Sequence, residues 1–149
     1  MDTKAYNHAI KLLSFKMRTV GELNEKLAKK FSKAVVLEVI RKLEELDFVN
    51  DERYAQIFVE NLKQYKDFGY YGIKQKLHAK HVPTDVIEKV LQDFFTGDEE
   101  LELAKKFLKK LKRQGRKGYA QIARSLTSKG YHTDVIREVL REEFADKKS

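Results

Sequence analysis

The chain has 149 residues, no cysteine, one proline and seven glycines; 36% of the residues are charged and 42% hydrophobic. Thirty-one Lys+Arg against 23 Asp+Glu leave a formal charge of +8, which favours anionic partners, either nucleic acid or acidic protein surface, and is silent about the fold. Lack of cysteine excludes a disulfide framework, a thiol nucleophile, an iron–sulfur cluster and a thiolate zinc site. No apolar run approaches the roughly 18 residues that cross a bilayer, and the opening MDTKAYNHAIKLL lacks the apolar stretch of a signal peptide. The expectation is a cytoplasmic, monomeric protein with no membrane association.

Apolar residues recur at helical spacing from end to end, and no stretch alternates with period two for long enough to suggest a strand. Helices are expected, in chain order, near residues 3–15, 20–30, 33–47, 51–66, 70–80, 85–95, 98–113, 119–129 and 134–145. Thr19 with Glu22, and Thr96 with Glu99, have capping-box spacing, in which hydroxyl and carboxylate satisfy reciprocal backbone N–H groups. Ser32, Asn50, Thr84 and Thr133 stand where an N-cap precedes an apolar stripe.

Self-comparison organises these elements. Residues 55–95 slide onto 104–144 without a gap, and 16 of the 41 positions are identical, where composition alone gives about two or three. Gly69-Tyr70 falls on Gly118-Tyr119, Lys80 on Lys129, and Thr84-Asp85-Val86-Ile87 on Thr133-Asp134-Val135-Ile136. The first third joins more loosely: Leu23 and Leu27 fall on Ile73 and Leu77, then Val35, Val36, Val39 and Ile40 on Val86, Ile87, Val90 and Leu91. The expected fold is all-α: three tandem three-helix repeats over residues 1–49, 50–96 and 97–149. A unit of this size is marginal alone, so the repeats are expected to stack into an elongated, curved array.

The run Asn50-Asp51-Glu52-Arg53-Tyr54-Ala55 resembles the D-D-E-R-[YF]-A segment of the RecX family, regulators of the RecA recombinase. Arg18-Thr19, Glu22-Leu23 and Lys26-Leu27 are similar to that family's R-[ST]-x-x-E-L-x-x-K-L segment, and Gly69, Ile73, Leu77 and Lys80 fit its G-x-x-x-I-x-x-x-L-x-x-K pattern. The resemblance runs from about Ala9 to Phe144. It implies tandem three-helix repeats, no catalytic activity and no cofactor. It also implies binding along the groove of a RecA filament on single-stranded DNA, with repression of ATP hydrolysis, strand exchange and co-protease activity. The chain departs from the pattern at His81, where the third repeat has Gly130, and at Phe31, which follows Lys30 directly. Both helices are expected to end differently from their third-repeat counterpart.

Charge is uneven. Between Ala104 and Lys129 stand Lys105, Lys106, Lys109, Lys110, Lys112, Arg113, Arg116, Lys117, Arg124 and Lys129, with no acidic residue. Such cations repel one another unless a partner supplies anions. Lys105, Lys109, Lys112, Arg113, Arg116, Lys117, Arg124 and Lys129 are therefore the expected partner-binding residues, for the filament or for DNA. Lys105, Lys109, Lys112 and Arg116 share one helix face if the helix lasts that far. Lys4, Lys11, Lys16, Arg18, Lys29 and Lys30 make the first repeat a second basic end. A rival reading is a sequence-independent DNA-binding module acting through phosphate contacts of the basic third repeat. Weak direct DNA binding fits the filament regulator too.

Other signals are weaker. The last two helices of each repeat resemble a helix-turn-helix, but Asp134, Glu138, Glu142 and Glu143 on the second would meet phosphates at close range. Gly115-Arg116-Lys117-Gly118 fits a GxxG phosphate loop, which needs strands around it. Tyr70 and Tyr119 read as repeat-core packing rather than base-stacking platforms. His78 and His81 sit one turn apart without further metal-ligand candidates, so no metal is expected, and His8 and His132 are isolated. Neither a Walker loop nor a nucleophile elbow is present, and no enzymatic activity is expected.

Overall fold

The computed structural model describes residues 1–145, and all the regular secondary structure among them is helical. Among the described residues nine α-helices follow one another: α1 Thr3–Phe15, α2 Val20–Leu27, α3 Lys33–Glu45, α4 Asp51–Tyr65, α5 Tyr70–Ala79, α6 Thr84–Phe94, α7 Glu99–Arg113, α8 Tyr119–Ser128 and α9 Thr133–Phe144. The widest departure from expectation is at α2. The N–H groups of Lys30 and Phe31 both point at the Leu27 carbonyl, so the segment past Leu27 closes as a tight turn.

Caps explain most of the starts. Thr19 Oγ1 accepts the Glu22 N–H at 3.0 Å, and Glu22 Oε1 accepts the Thr19 N–H at 3.1 Å, completing the expected box. Ser32 Oγ accepts from Val35 N–H at 3.3 Å and Asn50 Oδ1 from Arg53 N–H at 3.0 Å. The Thr96–Glu99 box does not form. Gly97 takes a left-handed φ of 56°, α7 starts behind Asp98, and Glu99 bonds Lys63 instead. Thr84 and Thr133 are the first residues of their helices rather than caps, and His132 holds the N-cap position of α9.

The chain divides into two compact units, Met1–Ile57 with Leu77–Ile87, and Phe58–Lys76 with Glu88 to the end of the described chain. The division falls inside α4, α5 and α6, so the middle repeat contributes to both. In unit one, α2 packs on α1 and α3. Ala5, Ala9, Leu23, Leu27, Val36, Val39, Ile40, Leu43 and Val49 form its buried cluster. In unit two, α7, α8 and α9 pack pairwise around Ala104, Phe107, Leu108, Leu111, Ile122, Leu126, Tyr131, Val139 and Leu140. The positions found by helical periodicity fill these cores. Each methylene removed from water contributes ~0.8 kcal/mol, so burial of this kind is what holds short helices in place.

Each unit contains one junction built on the same plan. In unit one, the start of α2 receives the turn that ends α5: Thr19 Oγ1 donates to the Lys80 carbonyl at 2.7 Å, and Gly21 lies so close that a Cβ there would sit 2.3 Å from His81 Cβ. In unit two, the start of α5 receives the turn that ends α8. Gly69 N–H donates to the Lys129 carbonyl at 2.9 Å, Tyr71 N–H donates to Gly130 at 2.8 Å, and a Cβ on Gly72 would lie 2.3 Å from the Lys129 oxygen. The glycines are there because backbone meets backbone.

The helix ends correct one expectation. His81 and Gly130 both adopt left-handed φ, 66° and 81°, and both turns close with the same bonds: Val82 N–H to Leu77 and Tyr131 N–H to Leu126, beside His81 N–H to His78 and Gly130 N–H to Thr127. This is one Schellman closure made twice. The histidine does not change the turn; it occupies a strained version of it. Phe31 does differ, since the first repeat has no left-handed residue at that point.

Candidate functional site

The expected partner-binding cations do not form one continuous stripe. α7 stops at Arg113, Gly115 turns the chain at φ 83°, and Arg116 N–H bonds back to the Leu111 carbonyl at 2.9 Å. Arg116 therefore leaves the face that carries Lys105, Lys109 and Lys112. It lines a cleft of about 400 Å3 with Phe107, Gln121, Arg124, Ser125, Ser128 and Lys129. The fold thus brings together Arg116, Arg124 and Lys129.

The idea that the cations of 104–129 lack carboxylates holds only along the sequence. In space, Lys105 Nζ lies 3.3 Å from Glu142 and 3.9 Å from Glu102, Lys112 Nζ lies 2.8 Å from Glu143, and Lys110 Nζ lies 2.6 Å from Asp67. Helix α9 supplies two of these anions, and it uses its remaining charges on itself. Arg141 Nε donates to Glu138 at 3.1 Å and Arg137 lies 3.6 Å from Asp134. The Arg141 guanidinium holds the Glu138 carboxyl below the usual carboxylate range. Among the described residues, Lys109, Arg113, Arg116, Lys117 and Arg124 have no carboxylate within ion-pair distance. The second basic end also loses a member. Arg18 is buried, its Nε donating to the Leu12 carbonyl at 3.1 Å.

Two sets of polar residues escaped the sequence. Glu100 is only 7% exposed, accepts the Tyr70 N–H at 2.7 Å on Oε2, and sets Oε1 2.7 Å from His132 Nδ1. His132 is therefore not isolated, and the rings of Tyr70 and Tyr71 lie 4.7 and 4.5 Å from it. Tyr131 donates its hydroxyl to the Asp67 carbonyl at 2.9 Å, and burial pushes that phenol up. These partners are 30 or more residues apart in sequence, so no local pattern announces them. Tyr70 is part-buried among aromatic rings, but Tyr119 is 58% exposed, with the Phe144 ring 5.3 Å from its own.

The acidic run opening the second repeat serves the fold. Arg53 Nη1 pairs with Asp47 at 2.7 Å and Nη2 donates to the Asp47 carbonyl at 2.9 Å. That guanidinium keeps the exposed Asp47 carboxyl below its ordinary value while the Asp47 backbone takes φ 60°. Asp51 Oδ1 accepts the Val20 N–H at 2.9 Å, and burial raises its carboxyl. His81 Nε2 lies 3.0 Å from Glu25. No helix among the described residues is long and apolar enough to cross a membrane.

Three consecutive family models match this architecture: the first three-helix domain of RecX over residues 5–43, the second over 50–91 and the third over 98–140. The chain belongs to the RecX family. It is 38% identical over 104 residues to the regulatory protein RecX of Caldanaerobacter subterraneus subsp. tengcongensis, an overlap covering 69% of this chain and 52% of that relative. It is 34% identical over 103 residues to the regulatory protein RecX of Bacillus subtilis, covering 68% of this chain and 39% of that one. The matched segment thus spans about half, or less, of these curated relatives. The crystal structure of RecX from Lactobacillus salivarius superposes with a TM-score of 0.84 at 28% identity, over 95% of each chain. A second crystal structure of a regulatory protein RecX gives 0.81 at 28% identity, covering 93% of this chain and 72% of that one.

Proposed function

We propose that this protein is a non-enzymatic regulator that docks on a RecA–DNA filament and lowers RecA's ATPase, strand-exchange and co-protease activities. The single observation that carries the reading is the run of three RecX domains in their family order along the chain. Three tandem units offer a surface suited to several neighbouring protomers rather than to one pocket. Binding of that kind biases the filament between conformations in proportion to differential affinity. The contacts are assigned to the cations that have no carboxylate within ion-pair distance among the described residues, Lys109, Arg113, Arg116, Lys117 and Arg124, and to Lys129, whose Nζ donates to the Lys66 carbonyl at 3.1 Å. Lys105 and Lys112 are left out, because α9 already neutralises them.

The test is RecA's single-strand-dependent ATPase, titrated with this protein well below one copy per RecA monomer over saturating DNA. A fall in rate at those ratios supports action on the filament, since too little protein is present to hide the DNA. A fall only when the protein rivals the available DNA sites transfers the reading to a phosphate-binding module competing for the strand.

A further inference from the structure

The middle helix of each repeat is α2, α5 or α8, and the repeat that follows finishes the start of the first two. At α2 the Val20 N–H is taken by Asp51 Oδ1 at 2.9 Å, and Thr19 Oγ1 holds the Lys80 carbonyl. At α5 the Tyr70 N–H is taken by Glu100 Oε2 at 2.7 Å, while Gly69, Tyr71 and Gly72 donate to Lys129 and Gly130. Asp51 and Glu100 hold the same position in their repeats, and so do Lys80 and Lys129. Each start is thus closed by one carboxylate and by the carbonyl end of a helix. Together they answer N–H groups that an α-helix leaves open at its first turn.

Helix α8 begins the same way, but its start is open. Gly118-Tyr119 repeats Gly69-Tyr70 in register, yet Gly118 has no side chain to cap with, and its N–H reaches Gln121 Oε1 only at 3.4 Å. Among the described residues no acceptor meets the N–H groups of Tyr119, Ala120 or Gln121. A Cβ on Gly69 would lie 2.7 Å from Tyr131, whereas one on Gly118 would meet only Gln121 Oε1, at 3.6 Å. Tyr119, Ala120 and Gln121 are all exposed. A junction filled twice within the chain therefore has a third, unfilled copy.

The flank of that copy has changed sign. Arg116 and Lys117 stand where the filled junction of unit two has Asp67 and Phe68. A filled junction receives a turn that brings lysine, Lys80 or Lys129; beside Arg116 and Lys117 such a turn is repelled and a carboxylate is attracted. A second copy of this chain fits badly, because the turn it could offer, the one after α2, carries Lys26, Lys29, Lys30 and Lys33. Next to the open start, Tyr119, Leu140 and Phe144 line a groove of about 420 Å3 with Arg137 and Arg141. That is apolar surface which a helix covers and a phosphate strand leaves wet.

We infer that the start of α8 receives the C-terminal turn of a helix from a partner protein, with its last carbonyls on the Gly118 and Ala120 N–H groups and a carboxylate for the Tyr119 N–H and Arg116. The partner element is acidic where Lys80 and Lys129 are basic. This deepens the reading above, from which it takes only that the partner is a protein, and its test leaves RecA out so that the two fail separately.

The measurement is a nuclear magnetic resonance titration of the isotope-labelled whole chain with a stapled helical peptide of residues 119–132, made with Lys129→Glu and, as a control, unchanged. The starts of α2 and α5 are occupied in the whole chain, so the start of α8 is the one open to it. The amide signals of Gly118, Tyr119 and Ala120 are expected to move downfield with the Lys129→Glu peptide, and the unchanged peptide to bind at least about tenfold more weakly. Gly118→Leu, at an ordinary φ of −76°, sets a side chain where the turn must lie, and is expected to abolish the shifts with unchanged circular dichroism. Arg116→Glu is expected to reverse the order of the two peptides, which a loss of folding cannot do. Absent shifts at these amides overturn the inference, as does equal binding of the two peptides. So do equal shifts on adding oligothymidylate, or a dimer in sedimentation that Gly118→Leu dissociates. Shifts without ATPase inhibition would keep the socket and remove RecA as its partner, whereas inhibition without shifts would remove the socket alone.

Discussion

Glu100 spends both carboxylate oxygens inside the fold, on the Tyr70 N–H and beside His132. Removing it strands a backbone donor, which costs about 1–3 kcal/mol. Glu100→Ala is expected to lower the denaturant midpoint accordingly, while Glu100→Gln, which keeps an acceptor for Tyr70, loses much less. Equal midpoints for the two variants would contradict this role. Asp51 makes the opposite case. Burial raises its carboxyl above the ordinary 3.8, so the folded state binds that proton more tightly than the unfolded chain. Its contribution to stability is complete below the unfolded value and lost as pH rises through the folded one. Asp51→Asn keeps an oxygen for Val20 N–H and is expected to be more stable than wild type at pH 7, with the advantage gone below about pH 4. Unfolding midpoints measured across pH check it; a gap that does not vary with pH refutes it. Sequence showed Glu100 only as one of several acids near the start of α7, because Tyr70 and His132 are 30 and 32 positions away.

At the scale of elements, the left-handed turns separate two kinds of glycine. Gly115 has φ 83° with open space around a notional Cβ, so Gly115→Ala is expected to cost only the conformational penalty, about 1–2 kcal/mol. Gly130 has nearly the same φ, 81°, but a Cβ there lies 2.1 Å from Gly72 N, and Gly130→Ala is expected to cost at least about 3 kcal/mol because the junction must open. His81 fills the equivalent turn at φ 66° with a side chain exposed to solvent. His81→Gly relieves that strain, gives up an exposed pair with Glu25 worth little, and is expected to stabilise by up to about 1 kcal/mol. Chemical denaturation of the three variants gives the ranking, and a destabilised His81→Gly would mean that the Glu25 contact outweighs the turn. The helices themselves were legible throughout, since apolar spacing marks a buried face wherever it is buried. The Thr96–Glu99 spacing is that of a cap, but Gly97 turns left-handed, α7 starts behind Asp98, and Glu99 bonds Lys63, 36 residues earlier.

For the whole molecule, the formal charge of +8 is a sum whose members are unequal. Lys105, Lys110 and Lys112 are answered by Glu142, Asp67 and Glu143, whereas Lys109, Arg113 and Lys117 face solvent. Charge reversal of Lys109, Arg113 and Lys117 to Glu is therefore expected to weaken filament inhibition at least about tenfold, since like charge at a contact both removes attraction and adds repulsion. Neutralising Lys105 and Lys112 to Gln is expected to alter it less than about twofold, because exposed ion pairs are worth little. The ATPase titration reads both, and comparable losses in the two variants would show that the paired lysines take part.

By itself the sequence determined the helical class, the order of nine helices, the repeat and the family, because each follows from short-range periodicity or from local motifs that survive any packing. Within the Asn50–Ala55 run that marks the family, Asn50 caps α4 and Arg53 holds the turn at Asp47. Tertiary structure alone decided which cations remain available. That depended on α9 folding its acids back onto α7, and on Gly115 turning Arg116 out of the stripe and into a cleft with Arg124 and Lys129. Ion pairs and clefts join residues that the chain separates, and electrostatic energy depends on distance through space rather than on spacing along the sequence.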